Sequence, residues 1–65
     1  MVSNQKLTQL RTEANLNLRQ FGFQLGVTPE AVYNWERGYN SPSKENIKAI
    51  CEFFDVAPED AGLSS

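Results

Sequence analysis

The sequence predicts an all-α domain of five short helices, and three observations predict it. Apolar residues recur three and four positions apart along most of the chain, the spacing of one helical face. Capping residues, prolines and glycines punctuate that pattern where helices start and stop. No stretch alternates apolar and polar residues for long enough to make a strand. The 65 residues allow one domain. A chain of that length buries only about 60% of the surface it exposes when unfolded, which argues against a deep internal cavity.

Ser3 can cap a first helix whose apolar face is Leu7, Leu10 and Ala14. Asn15-Leu16-Asn17 interrupts it, and Asn17 can cap a second helix from Leu18 to about Leu25, with Gly26 at its left-handed end. Thr28-Pro29-Glu30 is the clearest start signal. Thr28 caps, Pro29 has its φ preset for the first helical position, and Glu30 brings a negative charge to the positive end of the helix. This third helix turns Val32 and Trp35 inward and stops near Arg37-Gly38. Ser43 can cap a fourth helix with Ile47, Ile50, Cys51 and Phe54 on one face. Asp55-Val56-Ala57-Pro58 turns the chain into a last short helix ending near Gly62.

Composition narrows the function classes. The net charge is −2, but it is unevenly spread. Residues 1–48 hold all six basic side chains and four acids, whereas residues 49–65 hold four acids and no base. One pole can therefore face phosphate while the other faces away. There is no histidine, and no Cys or carboxylate spacing suits zinc, so neither metal nor cofactor is expected. No nucleophile–base pair and no phosphate-cradling glycine loop is present, so an enzyme is not expected. The single Cys51 sits on an apolar face and reads as inert core. The longest apolar runs are too short to span a bilayer and the first residues lack a signal-peptide core, which makes a cytoplasmic location the expectation.

The most informative stretch is Leu18 to Gly38, LRQFGFQLGVTPEAVYNWERG. Two helices joined at a steep angle by a short turn touch at one point, where only a small side chain such as Gly22 fits. The turn needs a residue that tolerates positive φ, supplied by Gly26. Val32 and Trp35 then seat the second helix of the pair and leave Glu30, Tyr33, Asn34 and Arg37 facing outward.

These residues resemble the helix-turn-helix of the lambda-repressor/Cro-like (XRE) family, over roughly residues 4 to 63. Leu25-Gly26-Val27-Thr28 and Trp35-Glu36-Arg37-Gly38 match its strongest local signatures. Leu7-x-x-Leu10-Arg11, Pro42-Ser43 and Phe54 to Asp60 resemble its first helix, the entry to its fourth and its ending. The resemblance implies a five-helix lambda-repressor-like domain with the helix-turn-helix at about 18–37. It also implies a partly buried ion pair between Arg11 and Glu36. The family usually has glutamine where this chain has Leu18, a residue that helps fix a phosphate contact. It has alanine at Gly22, a polar residue at Phe23, and base-reading polar residues where Pro29 and Glu30 stand.

The expected function is sequence-specific binding of double-stranded DNA by the helix at about 29–37, in transcriptional regulation, as a homodimer on a palindromic site. Asn34 is the first candidate for reading bases, since an amide can bond adenine in bidentate fashion. Arg19 and Arg37 suit phosphate. Thr28, Glu30 and Tyr33 lie on or beside the reading helix, and Tyr39, Asn40, Ser43 and Lys44 fall where the family's backbone-contacting loop lies. The competing expectation is a helix-turn-helix interaction module, antitoxin-like or anti-repressor-like, that binds protein; the acidic balance, Glu30 and the apolar Phe23, Phe53 and Leu63 speak for it. For those three apolar residues, packing at the edge of the core is the plainer reading. The chain is read as one domain, 1–65, either whole or the N-terminal part of a longer protein.

Overall fold

A computed structural model describes residues 3–63; Met1, Val2, Ser64 and Ser65, the ends of the expected 1–65 domain, lie outside the described residues. Four α-helices and one 3-10 turn follow one another: α1 (Gln5–Glu13), α2 (Leu18–Leu25), α3 (Pro29–Arg37), α4 (Lys44–Phe54) and the turn Pro58–Ala61. The expected fifth α-helix is therefore corrected to a 3-10 turn. Pro58 opens it without an amide proton, and Gly62, at φ 70°, closes it four residues later. That span suits the tighter i→i+3 bonding of a 3-10 turn.

Local capping chemistry sets most boundaries. Asn17 and Gln20 form a reciprocal capping box, in which each side chain accepts from the other's backbone N–H. Thr28 accepts from the Ala31 amide and Ser43 from the Asn46 amide. The first helix departs from expectation, because its cap is Asn4 rather than Ser3. The Asn4 side chain accepts from Leu7 N–H and donates to the Ala61 carbonyl, while its own N–H donates to the Glu36 carbonyl at 2.7 Å. One residue thus starts α1 and ties it to the end of α3 and to the final turn. Serine at the preceding position has too short a side chain for that reach. Ala14, expected on the apolar face, is exposed because α1 ends before it.

The core consists of Leu7, Phe21, Val32, Trp35, Ile50 and Ala61, so every element contributes to it. Phe21 is the largest fully buried side chain. It meets Phe54 at 5.4 Å and Phe53 at 5.9 Å between ring centroids, and Phe53 meets Phe54 edge-on at 5.0 Å. These distances lie in the favoured range for aromatic pairs, and they fasten α2 to α4. Among the three apolar residues with an edge-of-core expectation, Leu63 packs that way, and Phe53 meets the Phe21 and Phe54 rings while staying 42% exposed. Phe23 does not pack there, at 83% exposed. Cys51 is half-buried; burial first, and then the charge of Glu59, raise its thiol pKa, which disfavours the reactive thiolate. Among the described residues no helix is long and apolar enough to cross a membrane.

Candidate functional site

The two helices of the motif meet at Gly22. A Cβ placed there would come within 2.8 Å of the Val27 carbonyl oxygen and 3.2 Å of the Thr28 carbonyl carbon. Both are backbone atoms that cannot swing aside, so the approach of α3 to α2 requires a minimal side chain. Gly26 serves a different need. A Cβ on it would meet nothing within 4 Å, but its φ is 75°. The chain leaves α2 through a Schellman pair of bonds, Val27 N–H to the Gly22 carbonyl at 2.8 Å and Gly26 N–H to the Phe23 carbonyl at 3.2 Å. The turn is closed by the same residues that bring the helices into contact.

Val32 and Trp35 seat α3 on the core, fully buried and 6% exposed respectively. Glu36, on the same helix, is buried too and forms an ion pair with Arg11 of α1. The Arg11 Nε donates to Glu36 Oε2 at 2.6 Å and its Nη2 to Oε1 at 3.1 Å, while Nη1 reaches the Leu16 carbonyl at 2.8 Å. Thr8 Oγ1 donates to Glu36 Oε1 at 2.9 Å. A fork-on-fork pair, with Oε1 further occupied by the Thr8 hydroxyl, is the strong form of this interaction. It fixes the tilt of α3 against α1, and with it the direction in which the outer face points. The pairing implied by the family resemblance is present; the Thr8 and Leu16 contacts around it have no marker in the sequence.

The outer face carries the site. Glu30, Tyr33 and Arg37 are exposed on α3, and Asn34 is half-buried beside Trp35. Arg19 is exposed in the first turn of α2, next to Gln20, Phe23 and Gln24. Thr28 and Ser43 are exposed, but their oxygens already cap α3 and α4. Tyr39 and Asn40 are exposed in the loop after α3, and Lys44 opens α4. Asn40 and Lys44 border one shallow depression with Ser41 and Pro42.

Three site residues are brought into contact. The Arg37 guanidinium carbon lies 5.7 Å from the centre of the Tyr33 ring. The Tyr39 ring stands edge-on to Tyr33 at 6.3 Å. The neighbouring Tyr39 first, and then the electrostatic influence of Tyr33, push the Arg37 pKa above its usual value. Sequence reading named each of these residues but not the cluster, although Tyr33 and Arg37 one helical turn apart were a usable signal. Leu18, where the family carries glutamine, is half-buried and packs against the core. Among the described residues no cluster of His, Cys, Asp and Glu could hold a metal ion.

Comparison with known proteins agrees with this architecture. The helix-turn-helix family model matches residues 7–60. The chain is also 45% identical over 56 residues to the HTH-type transcriptional activator BcrR of Enterococcus faecalis, a match covering 86% of this chain and 28% of that protein. The chain thus spans under a third of the curated relative it matches. With the motif, its seating on the core and the family match in agreement, the chain belongs to the XRE-type helix-turn-helix family.

Proposed function

We propose that this domain binds double-stranded DNA in a sequence-specific manner, with α3 in the major groove, as the DNA-reading part of a transcriptional regulator. The observation that carries the reading is the way α3 is mounted. Its inner face is locked by Val32, Trp35 and the Glu36–Arg11 pair, while Glu30, Tyr33, Asn34 and Arg37 are left accessible along one side. A rigidly held helix with a polar outer face is what major-groove reading requires. The relative's name, a transcriptional activator, supports regulation of transcription as the setting.

Within that reading, Asn34 contacts a base edge and Arg19, Arg37 and Lys44 contact phosphates, with Thr28, Glu30, Tyr33, Tyr39, Asn40 and Ser43 lining the same surface. Glu30 can accept from a cytosine amino group. Two copies bind a near-palindrome. A single small module with few cations makes few phosphate contacts. The greatest extent of the domain is 25 Å, so two copies fit side by side on half-sites about 34 Å apart.

Selection of bound sequences from a random duplex pool tests the proposal. The expected product is a two-fold symmetric site, and its absence, with no enrichment over input, would overturn the reading. Asn34→Ala is expected to lose about 1–3 kcal/mol on the selected site and little on scrambled duplex, because base contacts carry sequence information and phosphate contacts do not. Equal losses on both duplexes would remove Asn34 from the reading role.

A further inference from the structure

The exit of α3 is built so that one aromatic ring lies against a cation and a second ring stands edge-on against the first. Gly38 takes φ 80°, and the Tyr39 N–H then donates to the Asn34 carbonyl at 2.9 Å while Gly38 N–H donates to the Trp35 carbonyl at 3.2 Å. This Schellman closure folds residue 39 back toward the helix it has just left. The Tyr39 ring consequently meets the Tyr33 ring edge-on at 6.3 Å, and Arg37, one turn beyond Tyr33, lies 5.7 Å from the Tyr33 centroid. Among the described residues Arg37 pairs with no carboxylate.

We infer that Tyr33 and Tyr39 are positioning residues, which hold the Arg37 guanidinium at the end of α3 for a DNA phosphate and do not themselves contact DNA. The inference rests on the DNA-binding reading above. An exposed arginine samples many rotamers, and closing it on one phosphate costs that freedom. A guanidinium already lying against a ring has lost part of it before DNA arrives, yet its N–H groups remain open to an anion. Tyr33 is exposed, but its ring is engaged by Arg37 and by the edge-on Tyr39 ring, so it serves the cation in preference to a contact of its own. Two features of the local sequence make the arrangement possible. The i, i+4 spacing of Tyr33 and Arg37 puts them on one stripe of the helix, and Gly38 alone allows the reversal that brings in Tyr39.

The test uses this chain and a labelled duplex of mixed sequence, with binding followed by anisotropy across a salt series. Arg37→Ala should weaken binding and flatten the slope of log affinity against log salt by about 0.9, the value of one phosphate contact. Tyr33→Leu should weaken binding about two- to fivefold, the scale of an exposed cation–π contact, and Tyr39→Leu, which acts through the Tyr33 ring, should weaken it in the same direction and by no more. Tyr33→Phe, which keeps the ring, should bind as the parent does. In the Arg37→Ala background the two leucine variants should have no further effect. In the DNA-free domain, the Arg37 side-chain protons should show ring-current shifts that Tyr33→Leu abolishes, with the melting temperature unchanged. Leucine variants that bind like the parent would overturn the inference alone. So would equal losses in both backgrounds, because the tyrosines would then be touching DNA directly. A parent chain that binds no duplex would overturn the DNA reading together with the inference.

Discussion

Two long-range seams of the domain, α2 on α4 and α1 on α3, are built from opposite chemistry. Between α2 and α4 the contact is aromatic, with Phe21 fully buried against Phe53 and Phe54. Between α1 and α3 it is polar, with Arg11, Glu36, Thr8 and the Leu16 carbonyl joined by directional bonds. Apolar packing is favourable wherever area is buried, and it tolerates small rotations of one helix on the other. A forked ion pair tolerates little, because its hydrogen bonds weaken steeply with angle. The polar seam is the one that sets the pitch of the reading helix. The aromatic seam supplies burial. The difference teaches that this domain separates the holding of the fold from the aiming of the site.

The largest effect that would sharpen this contrast is expected at the aromatic seam. Phe21→Ala should lose about 3–5 kcal/mol, the range for truncating a buried aromatic. Chemical denaturation checks it, and a loss near that of a surface substitution would remove Phe21 as the anchor.

Glu36→Gln should follow at about 3 kcal/mol, the lower end for breaking a buried pair. The pair retains 14% and 8% side-chain exposure, so water still screens it a little. Glu59→Gln is the exposed control and should melt with the parent. Equal melting of the two variants would break the contrast. Replacing both partners, Arg11→Met with Glu36→Leu, should recover only part of the loss. In that variant the Leu16 carbonyl loses its partner, and the Thr8 hydroxyl is left with the Asn4 carbonyl at 3.3 Å.

Smaller effects separate the two glycines of the turn. Gly22→Val should cost about 1–3 kcal/mol through overpacking against the backbone of residues 27 and 28. Gly26→Ala should cost about 1 kcal/mol through its left-handed φ alone, since a methyl group there touches nothing. Thermal melting of the pair distinguishes a steric cause from a conformational one. A Gly22→Val variant as stable as the parent would show that α3 can back away from α2.

Much of the fold was legible because its signals are local. Asn17, Thr28 and Ser43 cap helices by bonds three residues long, and Gly26 and Gly38 end them by their own φ. Such interactions are complete within a few residues, so the sequence around them suffices. The exception among the caps is instructive. Ser3 and Asn4 are equally good capping types, and the choice fell to Asn4 because its amide also reaches the Ala61 carbonyl 57 residues away. Phe21 escaped notice for the same reason. Phe21 and Phe23 lie on one short helix with the same side chain, yet one is wholly buried and the other 83% exposed.

The sequence by itself determined four helical segments, the turn between α2 and α3, and the set of polar residues available on α3. Tertiary structure decided the rest: Asn4 as the tie between α1 and the last turn, and Thr8 as the second side chain on the Glu36 carboxylate. It also decided that Tyr33, Arg37 and Tyr39 form one cluster. The physical reason is range. A cap or a left-handed glycine is satisfied by its neighbours in the chain, whereas a buried carboxylate or an aromatic ring is satisfied only by whatever the fold brings to it.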